Sequence, residues 1–154
     1  MLRISKLTDY GTVILADLAA RNDHRASAAE VAETTGLGLP TVRKLLKMLG
    51  KAELVAATRG AQGGYYLTRS PAEISAADVI DALEGPVSIT ECSAGDRHCG
   101  IEAHCSVGSA WQRINVAIRS ALREISLTDL RNSAQRLPSF NFAGTPIHIE
   151  RKDQ

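Results

Sequence analysis

The sequence predicts a mainly α-helical chain of the winged helix-turn-helix class, with a two-stranded wing, a cysteine loop and a long C-terminal dimerisation helix. Three observations predict it. Apolar residues recur at helical spacing through the first fifty residues, two short β-prone runs flank a glycine-rich tip between residues 54 and 68, and Cys92, Cys99 and Cys105 crowd a stretch with little apolar period of its own. The chain divides accordingly into a winged unit over residues 1–70, a helix and cysteine loop over 71–105, a long helix over 106–130, and a loose or disordered tail over 131–154. A folded chain of 154 residues buries roughly two-thirds of its unfolded surface, enough for one domain of ordinary stability.

Leu7, Tyr10, Ile14 and Leu18 recur at steps of three and four, so residues 7 to about 21 form an amphipathic helix. Ser27-Ala28-Ala29-Glu30 is a capping box that starts a short second helix, which ends near Thr35 because Gly36 takes the left-handed conformation at low cost. Leu37-Gly38-Leu39 makes a tight turn, and Pro40 suits a first helical position, where a missing amide donor costs nothing. The third helix runs to about Gly50. Its apolar side is Val42, Leu45, Leu46 and Leu49; the opposite side carries Lys44, Lys47 and Lys51, with Thr41 and Arg43 on the N-terminal flanks. Leu54 to Thr58 and Tyr65 to Thr68 are strand-like, and between them lies Arg59-Gly60-Ala61-Gln62-Gly63-Gly64. This tip is no phosphate-cradling loop of a nucleotide site, since a strand follows it and the Gly-Lys-Ser/Thr ending is missing.

Charge supports a polyanion partner once it is split by position. The formal total is only +1. Residues 1–70 nevertheless hold ten bases and six acids, a net of +4, and the remainder sums to −3. Between Arg43 and Arg69 the sole acid is Glu53. Short helix, tight turn, basic helix and wing together point to double-stranded DNA, with the first turn of the third helix in the major groove and a wing arginine entering a minor groove. The candidate contacts are Thr41, Arg43, Lys44 and Lys47 of the helix and Arg59 and Gln62 of the wing.

A fourth helix opens at Ser75, the N-cap, with Asp78 at its positive end and Ile74 and Val79 as a hydrophobic staple; Gly85-Pro86 stops it. A structureless loop as long as residues 86–105 needs a reason, and thiolates that wrap a metal or cluster supply one. The spacing C-x6-C-x5-C is wider than the close pairs of structural zinc sites, and three thiolates leave one coordination position open. His98, His104 and Glu102 are nearby candidates for it and Asp9 a distant one; a thiol-disulfide switch is a further use of the same cysteines. From Ser106 the chain is helical again. Val107, Trp111, Ile114, Ile118, Ala121 and Ile125 form a heptad-like seam suited to its own chain or to a second copy. Beyond Leu130 the period is lost. No run approaches the roughly 18 apolar residues of a membrane span, the first residues lack a signal peptide's apolar block, and an odd cysteine count disfavours a disulfide scaffold, so a cytoplasmic location without membrane contact is expected.

Taken together these residues resemble the IscR and NsrR group of bacterial winged-helix regulators, in particular the regulators of SUF iron-sulfur assembly operons. The similarity covers about residues 1–130. It rests on Leu7-Thr8-Asp9-Tyr10-Gly11, on Leu39-Pro40-Thr41-Val42-Arg43-Lys44-Leu45-Leu46-Lys47-Met48-Leu49, on the wing from Arg59 to Tyr65, on Glu84-Gly85-Pro86 and on the three cysteines. The resemblance implies a homodimer holding one iron-sulfur cluster per subunit, of the 2Fe-2S or 4Fe-4S kind, on Cys92, Cys99 and Cys105, with cluster state controlling DNA binding. Two departures bear on the fourth ligand. The first cysteine gap holds six residues where IscR-like proteins have five, and their histidine three positions after the last cysteine is Gly108 here. NsrR-like members instead use an aspartate from the partner's first helix, and Asp9 matches it, ahead of His104 and His98.

The resemblance therefore implies a transcriptional repressor of iron-sulfur assembly genes that senses cluster status. The alternatives are a nitric oxide or redox sensor using the same cysteines and, in a different class, a cluster-carrying electron-transfer or delivery protein, for which the basic helix and wing have no purpose. An enzyme is not expected. No Ser/His/Asp or paired-carboxylate arrangement stands out, and histidines at 24, 98, 104 and 148 have no metallohydrolase spacing.

Overall fold

The structure, a computed structural model, describes residues 4–21, 24–60, 62–90, 105–132, 140–142 and 145–147. Helix α1 spans Lys6–Ala20 and is capped by the Ser5 hydroxyl, which accepts from the Thr8 amide. Helix α2, Ala28–Thr35, has the full capping box: the Glu30 amide donates to Ser27 Oγ, and the Ser27 amide donates to Glu30 Oε2. It closes on Gly36 at φ 71°. Helix α3, Leu39–Lys51, begins after Gly38, so Pro40 falls in its first turn. Ile14, Leu15 and Leu18 of α1, Val31 of α2, and Val42, Leu45, Leu46 and Leu49 of α3 form one buried core.

The wing pairs β1, Val55–Thr58, with β2, Gly64–Leu67, in antiparallel register from Val55 opposite Leu67 to Thr58 opposite Gly64. A contact absent from the sequence pattern extends this sheet. The Tyr65 amide donates to the Ala26 carbonyl at 2.7 Å and the Ala26 amide donates to Tyr65 at 3.1 Å, so the segment before α2 adds a bridge to the outer edge of β2. Gly64 is required there. Its φ is +151°, and a Cβ would lie 2.8 Å from the Ala26 backbone.

Helix α4, Ala76–Glu84, carries a second capping box between Ser75 and Asp78 and stops at Gly85. Val79 and Leu83 bring it onto the core of α1 and α3, and Gly11 of α1 admits the Leu83 side chain where any Cβ would overlap it. Helix α5 spans Gly108–Glu124. It is shorter than the predicted stripe: Ile125 is extended, and a separate helix α6, Leu127–Arg131, follows with its own Ser126–Asp129 capping box. The break turns the chain so that Leu127 is fully buried and its amide donates to Ile74 at 2.7 Å. In the segment where the sequence predicts a loose tail, β3, Phe140–Phe142, pairs with β4, Thr145–Ile147. Among the described residues no helix is long and apolar enough to cross a membrane.

Candidate nucleic-acid interface and cysteine site

The periodicity of α3 separates its two faces completely. Val42, Leu45, Leu46 and Leu49 are buried, and Arg43, Lys44, Lys47 and Lys51 are exposed, with Thr41 half-buried in the first turn. None of these four cationic side chains forms an ion pair or hydrogen bond with another described residue. Gly38 supplies no side-chain cap, so the first-turn amides of α3 are free to meet an anionic oxygen beside Thr41. Glu53, the lone acid of this stretch, lies beyond the far end of α3 at φ 58°, where its carbonyl accepts from the Thr68 hydroxyl.

The wing is held against α3 from its base. The Leu54 amide donates to Leu49 at 3.0 Å and the Thr68 amide donates to Leu54 at 3.2 Å, so β1 and β2 leave the end of the basic helix in a defined direction. At the tip the Gly63 amide donates to Gly60, which has φ +112°, at 2.9 Å. Arg59 and Gln62 are exposed on this loop. The structure thus places all six DNA-contact candidates on α3 and the wing of one packed unit. It adds one cation that the sequence does not reveal: the Arg25 guanidinium stacks 5.3 Å from the centroid of Tyr66, joining the α1–α2 connection to β2. No local pattern marks this contact, because it links residues that meet only once the wing has folded.

The cysteine site is described only in part. Cys92 and Cys99, with His98, Glu102 and His104, lie outside the described residues. Cys105 is half-buried, its Sγ 3.6 Å from the place a Cβ on Gly108 would take. Gly108 opens α5 and the N-cap, Val107, gives no side-chain hydrogen bond, so negative charge beside Cys105 meets the positive end of a helix. Asp9 is exposed in the first turn of α1 and lines an open cleft with Ile4, Ser5 and Lys6. Asp9 and Cys105 belong to no cluster of three or more metal-ligating side chains among the described residues.

One further carboxylate organises this end of the molecule. Glu84, the last residue of α4, accepts from the Thr8 hydroxyl and from the Ser5 amide at 3.2 Å, which ties the turn preceding the cysteine segment to the start of α1. The hydroxyl hydrogen bond holds the Glu84 carboxyl below the usual glutamate range.

A winged helix-turn-helix with a free basic recognition helix is an architecture that many regulators share, and the family comparison is specific. Residues 4–133 match the family model Rrf2, described as an iron-dependent transcriptional regulator. The chain belongs to the Rrf2 family. Among its Rrf2 relatives, the transcriptional regulator NsrR of Oceanobacillus iheyensis is 30% identical over 138 residues, covering 88% of this chain and 94% of that one. The structure of Bacillus subtilis CymR, the global cysteine regulator, superposes with a TM-score of 0.66 at 33% identity, covering 88% of this chain and all of CymR. T. potens IscR superposes with a TM-score of 0.64 at 32% identity, covering 87% and 89%. This Rrf2 protein is accordingly a DNA-binding transcriptional regulator, not an enzyme, and its winged helix is the one found in those solved relatives.

Proposed function

We propose that this Rrf2 protein is a cytoplasmic homodimeric repressor that adjusts the expression of iron-sulfur assembly genes of the SUF type to the state of a cluster held by its own cysteines. The observation that carries the reading is the coexistence, in one chain, of an unpaired basic recognition surface and a three-cysteine segment whose last member abuts the start of α5. Thr41, Arg43, Lys44, Lys47, Arg59 and Gln62 are the DNA-contacting residues in this account. Cys92, Cys99 and Cys105 hold the cluster, 2Fe-2S or 4Fe-4S, and Asp9 of the partner subunit completes the ligand set.

The donor chemistry fits such a centre. Thiolates are the soft ligands that iron-sulfur clusters select, and the anion-favouring start of α5 stands beside Cys105. Gly108 brings no imidazole at the position where IscR-like proteins place one, and the resemblance to NsrR puts exposed Asp9 ahead of His104 and His98 for the fourth position. When bound, the cluster supplies a centre whose integrity depends on iron supply and oxidants. Dimerisation is supported by the outer face of α5, where Val107, Trp111 and Ile114 are exposed at seam spacing. Two copies on a twofold axis place two recognition helices on two half-sites and add their phosphate contacts.

The relatives also favour a second reading. NsrR and CymR resemble this chain about as closely as IscR does, which keeps nitric oxide or redox sensing through the same cysteines as the alternative signal. Operator titrations with cluster-loaded and cluster-free protein test the proposal. A change in affinity on cluster loss supports it, a change on nitric oxide exposure alone favours the second reading, and equal affinities under every condition contradict both.

A further inference from the structure

Helix α4 is where the residues leading to the cysteine segment, α5 and helices α1 and α3 meet. It runs antiparallel to α5: the Ala76 amide at its start donates to Ile125 beyond the end of α5 at 2.8 Å, and further along Asp81 Oδ2 pairs with Arg119 Nη2 at 2.7 Å. The other oxygen, Asp81 Oδ1, accepts from the amide of Val87, in the first residues of the segment that leads to Cys92. One carboxylate thus holds both strands of the approach to the cysteine site, the chain entering it and the helix leaving it. On its opposite side α4 is set into the reading unit, with Leu83 against Gly11, Val79 and Leu83 in the core shared with α3, and Glu84 on the start of α1.

The α4–α5 contact is suited to shifting. The buried residue of α5 is polar: Asn115, one turn before Arg119, is 6% exposed and its Oδ1 has no hydrogen-bond partner among the described residues. A buried carboxamide without a partner marks packing that is not fully satisfied in this arrangement. The Asp81–Arg119 pair, with both side chains about a quarter exposed, joins the two helices midway along α4, beyond the Ala76–Ile125 hydrogen bond at its start. A displacement at Val87 or at the start of α5 pulls on Asp81, and packed cores answer such a pull by moving between discrete arrangements.

We propose that Asp81, with Arg119, is the positioning residue through which the state of the cysteine segment reaches α1 and α3. This rests on the cluster-sensing reading above. The test compares operator affinity of cluster-loaded and cluster-free protein for the wild type, Asp81→Asn and Arg119→Gln, with visible absorption and melting temperature recorded for each. The expected result is that both variants load the cluster and melt near the wild-type temperature, while the affinity ratio between the two states falls toward one by roughly fivefold or more, the lower end of an ordinary coupling. The double variant should show no further fall, because both groups act in one network. Arg119→Lys, which keeps the charge, should restore part of the ratio; a purely structural contact would weaken both states equally and leave it unchanged. A wild-type ratio in Arg119→Gln, or in a folded Asp81→Asn, overturns the proposal. Absence of any ratio in the wild type overturns the cluster-sensing reading beneath it.

Discussion

The winged unit and helix α5 solve burial in opposite ways. In the winged unit the helical stripes that face inward are covered: Ile14, Leu15, Val31, Val42, Leu45 and Leu49 have no exposed surface, Ile4 and Val13 stand outside them at 59 and 40% exposure, and cations occupy the outer face of α3. The start of α5 differs. Val107 at its N-cap and Trp111, Ile114 and Val116 are 54, 40, 37 and 63% exposed, Asn115 is buried, and Ile118 and Leu122 further along are half-buried. A stripe with the same helical spacing therefore signifies a finished core in one region and an unfinished surface in the other. The difference teaches that periodicity reports an apolar face without reporting what covers it. The winged unit shares its core with α4 and α6 through Val79, Leu83 and Leu127, whereas the first half of α5 leaves its apolar side chains uncovered by the described residues.

Substitutions that distinguish the two regions follow in order of expected size. Leu46→Ala, deep in the winged core, should cost about 2–5 kcal/mol in chemical denaturation. Gly64→Ala forces a side chain into a left-handed conformation against the Ala26 backbone and should cost about 2 kcal/mol, with loss of operator binding if the wing tilts. Ser27→Ala removes the cap of α2 and should cost about 1 kcal/mol by the same measurement. Trp111→Glu on α5 should change far-UV circular dichroism little, since the side chain already faces outward, yet convert a dimer to monomers in sedimentation velocity. A large stability loss from Trp111→Glu, or none from Leu46→Ala, would break the contrast.

Acid should produce the smallest effect. Glu30, Glu73 and Glu84, all in or beside the winged unit, have carboxyls held below their ordinary value of 4.5 by hydrogen bonds from Ser27, Ser70 and Thr8 respectively. A folded-state value lowered in this way adds stability that is complete above pH 4.5 and is lost as the pH falls through the folded values. All three are solvent-exposed, so the loss on acidification should be gradual and small, and Glu30→Gln should flatten it.

What the sequence discloses here is local. The Ser27 capping box, Ser75 as an N-cap, Gly36 as a helix stop, the glycine-rich wing tip and the two-faced α3 can all be found within a few residues of chain, and each stands where its pattern indicates. The Ser126–Asp129 box is equally local, but the apolar spacing from Trp111 to Ile125 runs up to it and hides the break before α6. Ala26 on Tyr65, Arg25 on Tyr66, Glu84 on Thr8 and Asp81 on Arg119 have no local mark at all, since each joins residues brought together only by the packed fold. The same holds for the candidate sites. The candidate DNA-contact residues are legible because one helix and one hairpin carry them; the proposed cluster site, which would draw on a long loop and on Asp9 of a second copy, depends on an arrangement that spacing does not encode.

In the proposed function the three cysteines hold an iron-sulfur cluster. Visible absorption with iron and sulfide analysis, on protein purified without oxygen, tests it most directly. Coloured protein whose absorption disappears in Cys92→Ala, Cys99→Ala and Cys105→Ala is expected; colourless protein carrying zinc would overturn the cluster assignment.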